Sequence, residues 1–349
     1  MAPITEWNES MLGRCLWRLQ LGHGCLERKS TPWLEPEHPT GDDYLKTIFA
    51  RPEFRVPRTA YWDGLADLVG RYLGCVIRQP ERLAEGSVNA IAALLANLWH
   101  FDEWLDAKGP SVTPVAVNAV RELMTAAIHD RDAAVAGAEI ILESVHPGYG
   151  RQLYRMMVAH REAMVSLGLG VAAAPDYWCS LEKHVRAQAE FALNPEKRRR
   201  YETRFFEQRG TRGGMSCTLE LLLLISTRTT PTIDRHIIED VATSTALLND
   251  IYCVQDDSDA CEPNAVAIEG PTRVVQRINA LNESIVERCR GLLLKNKGNR
   301  ETQLAVGALM DVLVGMDRWH RFETRYSRGR SDVDRLFANE TTTSPGLER

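Results

Sequence analysis

Two acidic elements of this sequence have side chains that suit a magnesium site. The first contains Asp102, Glu103 and Asp106. In a helix, Asp102 and Asp106 share one face because they are four residues apart, whereas Glu103 is turned by about 100° from Asp102. Mg²⁺ prefers carboxylate oxygens and typically binds one or two of them together with phosphate oxygens of a substrate. The element is therefore a candidate metal site, and a solvated acidic helix end is the alternative.

The second acidic element spans residues 249–257. Asn249, Cys253 and Asp257 follow one another at intervals of four residues. In a helix they drift by only about 40° per step, so all three line one face over roughly 12 Å. This face is a candidate second metal site. Taken alone, a helix end with one polar side chain and exposed acids is the alternative.

Helical patterns dominate the sequence that positions these residues. Ser87 precedes apolar residues at spacings of three and four that lead into the Asp102 element, and Asp234 precedes a pattern that leads to Asn249. Further helices are predicted from Pro114, over 133–143 and 153–167, from Pro175 and Pro195, and over 274–294 and 302–326. Strand patterns are nearly absent. The sequence therefore predicts an all-α fold.

The composition excludes several classes of protein. The 349 residues with 44% hydrophobic content are enough for one large core. A net charge of -5 does not indicate a nucleic-acid partner. The sequence contains no run of about 20 apolar residues, so no membrane span is predicted. The N-terminus does not show the pattern of a signal peptide, and none is expected. The eight cysteines form no C-x-x-C pair, which is typical of reduced thiols in a cytoplasmic protein.

The two acidic elements together resemble motifs of the class I terpene synthases, in particular the single-domain microbial type. Residues 102–106 are similar to the family's D-D-x-x-D motif, with Glu103 in place of the second Asp. Residues 249–257 are similar to its N-D-x-x-S/T-x-x-x-E motif, with Cys253 in place of a hydroxyl ligand and Asp257 in place of Glu. A thiol is a poor ligand for Mg²⁺, which predicts weaker metal coordination at this position.

The C-terminal part of the chain extends the resemblance. Gly315, Trp319, Arg325 and Tyr326 match the family's G-x-x-x-W-x(5)-R-Y pattern. The resemblance implies that Arg325 and Tyr326 bind the diphosphate group of a substrate. Trp319 is a candidate for the wall of the substrate pocket, and so is Phe101, since aromatic faces stabilise cations by about 0.5–2 kcal/mol. A place in the helical core is the alternative for such aromatic residues.

Residues 209–214, Arg-Gly-Thr-Arg-Gly-Gly, are similar to a family segment in which an arginine senses the diphosphate beside a helix break. The resemblance implies Arg209 as the sensor, Arg212 as the linker and the carbonyl of Gly213 as the effector. Glycine tolerates the backbone angles that such a break requires. Arg204 is the alternative sensor because of its separation from Asn249, and the local pattern favours Arg209.

The resemblance implies an α-helical class I terpenoid synthase bundle around a central apolar cavity. This domain is expected over residues 56–327, after an irregular segment (1–55) and before a C-terminal tail (328–349). Three Mg²⁺ ions are implied, with the two acidic elements as their ligands: Asp102, Glu103, Asp106, Asn249, Cys253 and Asp257. Arg209, Arg325 and Tyr326 are the implied catalytic residues.

The implied activity is that of a carbon–oxygen lyase. The enzyme ionises a linear prenyl diphosphate, farnesyl diphosphate before other chain lengths, cyclises the carbocation and releases diphosphate. The expected partner is this substrate, with no nucleic acid, and the protein is expected to be a monomer or homodimer. The alternatives are a cyclase for another chain length, a chain-elongating prenyltransferase, and a degenerate homologue that acts as a helical binding module. The last is motivated by Cys253 and Asp256.

Overall fold

The computed structural model describes residues 60–77, 83, 86–106, 112–130, 138, 140, 141, 143, 149–193, 209–211, 213–228, 233–259 and 264–322. Across these residues all regular secondary structure is helical, which confirms the predicted all-α class. In this part of the chain no helix combines the length and the apolar character that crossing a membrane requires. The predicted segments 1–55 and 328–349 lie outside the described residues.

The chain folds into two compact units that alternate along the sequence. Among the described residues, the first unit contains 60–193 and 211–228, and the second contains 209–210 and 233–322. The Asp102 element belongs to the first unit, and Arg209 with the Asn249 element belongs to the second. Each acidic element is therefore positioned by the helices of its own unit.

The helices of the first unit pack in successive pairs. Their bounds are α1 (Ala60–Val76), α2 (Ser87–Asp106), α3 (Pro114–His129), α4 (Tyr149–Ser166), α5 (Pro175–Leu193) and α6 (Met215–Thr227). Helix α2 contacts α1 and α4, α3 contacts α4 and α5, and α6 contacts α2 and α5. Helix α2, which carries the acidic element, is thus supported by three neighbours.

The helices of the second unit surround one long helix. Their bounds are α7 (Arg235–Asp259), α8 (Ala265–Glu269), α9 (Pro271–Lys295) and α10 (Arg300–Phe322). Helix α7 contacts each of the other three. Because α7 carries the Asn249 element, side chains from several helices reach that element.

Capping residues explain several helix ends. The side chain of Thr113 accepts a hydrogen bond from the backbone N–H of Ala116 at 3.2 Å. Pro114 occupies the first turn of α3, where its lack of an N–H costs no helical hydrogen bond. Asp130 ends α3 in the left-handed conformation. Asn264 caps α8 in the same way as Thr113 caps α3.

Helix α2 is buried along most of its length, from Ala90 to Leu98. One of its buried polar residues, Asn97, donates from Nδ2 to the carbonyl oxygen of Leu153 on α4 at 2.8 Å. The bond joins two helices that share an extensive apolar contact. The packing of α2 thereby fixes the direction of its acidic end.

Most of the predicted helices are confirmed. Those expected from Ser87, Pro114 and Pro175, over 153–167, over 274–294 and before Asn249 correspond to α2, α3, α5, α4, α9 and α7. Helix α10 is described as far as Phe322 of the predicted 302–326. Of 133–143, the described residues 138, 140, 141 and 143 are helical, and the start at Pro195 lies outside the described residues. The sequence patterns do not predict α1 or α6.

Candidate functional site

The Asn249 element lies on α7, in the second unit. Asn249, Cys253 and Asp257 are half-buried and follow one another at about one-turn intervals. Because α7 is continuous from Arg235 to Asp259, the three side chains share one face of the helix. The structure therefore brings the predicted ligands of this element together.

Arg209 is bound to α7 through an ion pair with Asp250. Its Nε and Nη2 both donate to Oδ1 of Asp250, at 2.9 and 2.6 Å. The side chain of Arg209 is 13% exposed and that of Asp250 is 0% exposed. The predicted diphosphate sensor is thus fixed beside Asn249. The alternative sensor, Arg204, and the predicted linker, Arg212, lie outside the described residues.

Asp250 uses both carboxylate oxygens within the protein. Oδ1 accepts the two bonds from Arg209, and Oδ2 accepts a bond from the backbone N–H of Ala265 at 3.2 Å. The sequence motif contains Asp250 but gives no sign of these partners and predicts no role for it. Asp250 is an anchor for Arg209.

His320 of α10 faces Asn249. Its Nε2 is 3.1 Å from Oδ1 of Asn249, its Nδ1 is 2.7 Å from the carbonyl oxygen of Met316, and its ring is stacked on Tyr252. Nδ1 must donate to the carbonyl of Met316, so the neutral ring has only an acceptor at Nε2. A half-turn of the Asn249 amide then lets its nitrogen donate to His320 and directs its oxygen elsewhere. The only sign of His320 in the sequence is its position next to Trp319.

Asp257 is held by Asn264, the residue that precedes α8. Nδ2 of Asn264 donates to Oδ2 of Asp257 at 2.7 Å and to the carbonyl oxygen of Asp250, also at 2.7 Å. Asn264 is 1% exposed. Asparagine before a short apolar segment is a typical helix-capping signal, but the contacts with α7 have no sequence signal.

The donors on the α7 face fit Mg²⁺ in part. The amide oxygen of Asn249 and the carboxylate of Asp257 are hard ligands that Mg²⁺ prefers, whereas the thiol of Cys253 is soft. Among the residues that the structure describes, no group of three or more His, Cys, Asp or Glu side chains is arranged to hold a metal ion. Magnesium at this face would therefore need further oxygen ligands, and phosphate oxygens of a substrate are suitable.

The Asp102 element lies at the end of α2, in the first unit. Asp102 is half-buried, and its Oδ1 accepts a hydrogen bond of 2.9 Å from Nε2 of Gln188 on α5. Glu103 is exposed. Asp106 is the last residue of α2, and its side chain lies outside the described residues. Gln188 is 86 residues from Asp102, so local sequence patterns do not reveal this contact.

The two aromatic residues predicted to contact a substrate are both buried. Phe101 is 0% exposed and stacks on Trp104, with ring centroids 6.5 Å apart, and Trp319 is 3% exposed on α10. Each belongs to the core of its unit, and contact with a substrate stays a prediction. Arg325 and Tyr326 lie outside the described residues.

A helix break lies at Gly213 and Gly214, between the helical residues 209–211 and the start of α6. Gly214 has φ 70, a left-handed conformation that favours glycine. The carbonyl oxygen of Thr211 accepts a bond of 2.9 Å from Nδ1 of His184 on α5. Gly213 itself is exposed. The break agrees with the predicted one, and the effector role of the Gly213 carbonyl stays a prediction.

A buried polar network joins α2, α4 and α5 in the first unit. Nδ1 of His160 donates to the carbonyl oxygen of Ala90 at 2.7 Å, and the hydroxyl of Tyr177 donates to Nε2 of His160 at 2.5 Å. Burial lowers the pKa of His160 from 6.5 to about 4, and burial raises the pKa of Tyr177 well above its ordinary value. Both groups are therefore neutral near pH 7, as their hydrogen bonds require.

Comparisons with known proteins assign no family to this chain. A scan of protein-family models, a search of curated proteins and a search of solved structures each found no match.

Proposed function

We propose that the chain is a class I terpene synthase, with the helical bundle of that family. The observation that carries the proposal is the arrangement on α7. Arg209 is bound to Asp250, and the preceding residue, Asn249, begins the face that continues to Asp257. A guanidinium that suits phosphate and oxygen donors that suit Mg²⁺ thus come together on one helix of one compact unit.

The residues have separate tasks in the proposed reaction. Asn249 and Asp257 are the proposed magnesium ligands on α7, and Asp102 is a further one in the first unit. When bound, the metal stabilises the negative charge that develops on the departing diphosphate. Arg209 contributes a permanent charge and a planar set of N–H donors for phosphate oxygens. Asp250 holds the plane of that guanidinium in place.

The reaction begins with heterolytic cleavage of the allylic C–O bond, and the electron pair leaves with the diphosphate. Apolar side chains exclude water while the hydrocarbon cation cyclises. Loss of a proton, for which the released diphosphate is the proposed acceptor, or capture of water then gives the neutral product. Farnesyl diphosphate is the first substrate to test, followed by the other chain lengths.

Product analysis tests the proposal directly. The purified chain is incubated with Mg²⁺ and, separately, with geranyl, farnesyl, geranylgeranyl and geranylfarnesyl diphosphate, and extracts are analysed by gas chromatography–mass spectrometry. We expect a cyclic hydrocarbon or alcohol from one substrate, near-complete loss of it in Asp102→Ala and Asn249→Ala, and no loss in Glu287→Ala, which changes an exposed acid of α9. The absence of product from every substrate would contradict the proposal.

A degenerate homologue that acts as a helical binding module is the second candidate, and Cys253 favours it because a thiol is a poor magnesium ligand. Calorimetric titration of the protein with Mg²⁺ and inorganic diphosphate separates the two candidates, because the degenerate module should show little or no magnesium-dependent binding of diphosphate. Cys253→Ser supplies the hydroxyl oxygen of the family motif, so it should bind magnesium and diphosphate more tightly than the wild type. The absence of magnesium-dependent diphosphate binding, together with no product from the four substrates, would favour the module.

A further inference from the structure

Asn264 uses each polar atom of its side-chain amide in a hydrogen bond. Oδ1 accepts from the backbone N–H of Val266 at 2.8 Å, while Nδ2 donates to Oδ2 of Asp257 and to the carbonyl oxygen of Asp250, both at 2.7 Å. An asparagine amide has two N–H donors and one oxygen, so its hydrogen-bonding capacity is largely engaged. Asn264 is also almost completely buried.

The helix cap determines the direction of the amide. Because Oδ1 must accept the N–H of Val266, the NH₂ group has to point toward α7. Carbonyl groups of a helix point toward its C-terminus and side chains lean toward its N-terminus, so Asp250 and Asp257 present their acceptors to the same NH₂ group. A cap at the start of α8 thereby sets the orientation of a carboxylate on α7.

The same short segment also holds Asp250. The backbone N–H of Ala265 donates to Oδ2 of Asp250, and Oδ1 of Asp250 holds Arg209. Residues 264 and 265 are therefore hydrogen-bonded both to the predicted magnesium ligand Asp257 and to the anchor of the predicted diphosphate sensor.

We propose that Asn264 is a positioning residue for the binding of magnesium and diphosphate: it orients the carboxylate of Asp257 and joins it to the pair of Asp250 and Arg209. The inference rests on the proposed function, since it assigns Asn264 to the same site. Hydrogen-bond partners of metal ligands typically change metal affinity by about 10- to 100-fold when they are removed.

Two variants remove the contact with α7 and keep a capping oxygen. Asn264→Ser retains a good helix cap but is too short to reach Asp257. Asn264→Asp retains the size and the capping oxygen, and it places an oxygen against the acceptors of Asp250 and Asp257. Thr113→Ala is the matched control, because it removes the side-chain cap of α3 in the first unit and changes no predicted ligand.

The measurement is calorimetric titration with Mg²⁺ alone, inorganic diphosphate alone and both together. We expect the wild type to bind diphosphate in the presence of Mg²⁺, both Asn264 variants to bind about 10- to 100-fold more weakly, and Thr113→Ala to bind like the wild type. Equal affinity of wild type and Asn264 variants would overturn the role of Asn264 and leave the proposed function standing. No magnesium-dependent binding by the wild type would overturn both.

A measurement on the wild type decides the question if the variants fail to fold. The side-chain amide of Asn264 is followed by ¹H–¹⁵N NMR during addition of Mg²⁺ and diphosphate. Its protons should exchange slowly with solvent, and its signals should shift when Asp257 binds a cation. Unchanged signals under conditions where calorimetry detects binding would contradict the proposal.

Discussion

Gly210 packs directly against Ala242 of α7. A β-carbon on residue 210 would lie 2.8 Å from the β-carbon of Ala242 and 2.9 Å from its carbonyl carbon. Real β-carbons essentially never approach other atoms this closely, and one of the two atoms belongs to the backbone of a helix. The close approach brings Arg209 within reach of Asp250, because Arg209 directly precedes the packed residue.

Gly210→Ala is therefore expected to destabilise the fold by about 1–3 kcal/mol, the usual range for overpacking. The matched control is Gly291→Ala in α9, where a β-carbon meets no atom within 4 Å. In that helix interior alanine should stabilise by roughly 0.5–1 kcal/mol. Urea unfolding of the two variants measures both effects. If the free energy of unfolding changes by the same amount in Gly210→Ala and Gly291→Ala, residues 209–211 pack less tightly than described.

The ion pair of Arg209 and Asp250 gives a second prediction. Asp250→Ala should cost about 3–5 kcal/mol of stability because it leaves a largely buried guanidinium without its carboxylate. The double variant Arg209→Met/Asp250→Leu should recover part of this loss, since apolar residues of similar size need no charged partner. The recovery is incomplete because the buried N–H of Ala265 still loses its acceptor on Asp250. Chemical denaturation provides the free energies of unfolding.

An exposed ion pair is the control for that experiment. Glu287 and Arg290 form one on α9, with side chains 60% and 31% exposed. Glu287→Ala should change stability by less than about 1 kcal/mol. If Asp250→Ala has no larger effect than Glu287→Ala, Arg209 is not held as the structure indicates.

His160 predicts the pH dependence of stability. Its pKa is 6.5 in the unfolded chain and about 4 in the fold, because burial disfavours the charged ring. Between these values the unfolded chain binds a proton that the folded chain does not, so stability rises with pH in this window and is lost as the pH falls from 6.5 to 4. The full contribution is on the order of 3 kcal/mol.

Thermal unfolding between pH 4 and pH 7 tests this prediction. His160→Gln should flatten the dependence of stability on pH. Equal slopes for the wild type and His160→Gln would mean that His160 titrates normally in the folded protein.

The contact of His320 with Asn249 leads to a prediction about tautomers. Long-range ¹H–¹⁵N NMR of the ring nitrogens should show a proton on Nδ1 of His320 and none on Nε2. His160 is an internal reference, because its bonds to Ala90 and Tyr177 require the same tautomer. A proton on both nitrogens of His320 would mean that the ring donates to the oxygen of Asn249, and Asn249 would then be a poor cation ligand.

Local sequence patterns predict the parts of this fold that local interactions determine. Pro114 predicts the start of α3, and the interval between Asn249 and Asp257 predicts their shared face on α7. Helix α6 shows the limit of such patterns. Residues 221–225 are buried in succession, so the helix has no exposed stripe and no helical period for a pattern to detect.

Partners that are distant in sequence account for what the patterns miss at the candidate site. Asp250 contacts Arg209 across 41 residues, and Asn249 contacts His320 across 71 residues. Periodicity shows which face of a helix is polar, but it does not show which other segment approaches that face. The family resemblance implies a role for Arg209. The contacts of Asp250, Asn264 and His320 are visible only in the tertiary structure.

The alternation of the two units along the sequence has a consequence for synthesis on the ribosome. Residues 211 and 213–228, which include α6, belong to the first unit, and they are translated between Arg209 and Asp250. At typical elongation rates Asp250 is added about 2–8 s after Arg209. All described helices of the first unit can therefore be synthesised before the carboxylate of Asp250 is available to pair with the guanidinium of Arg209.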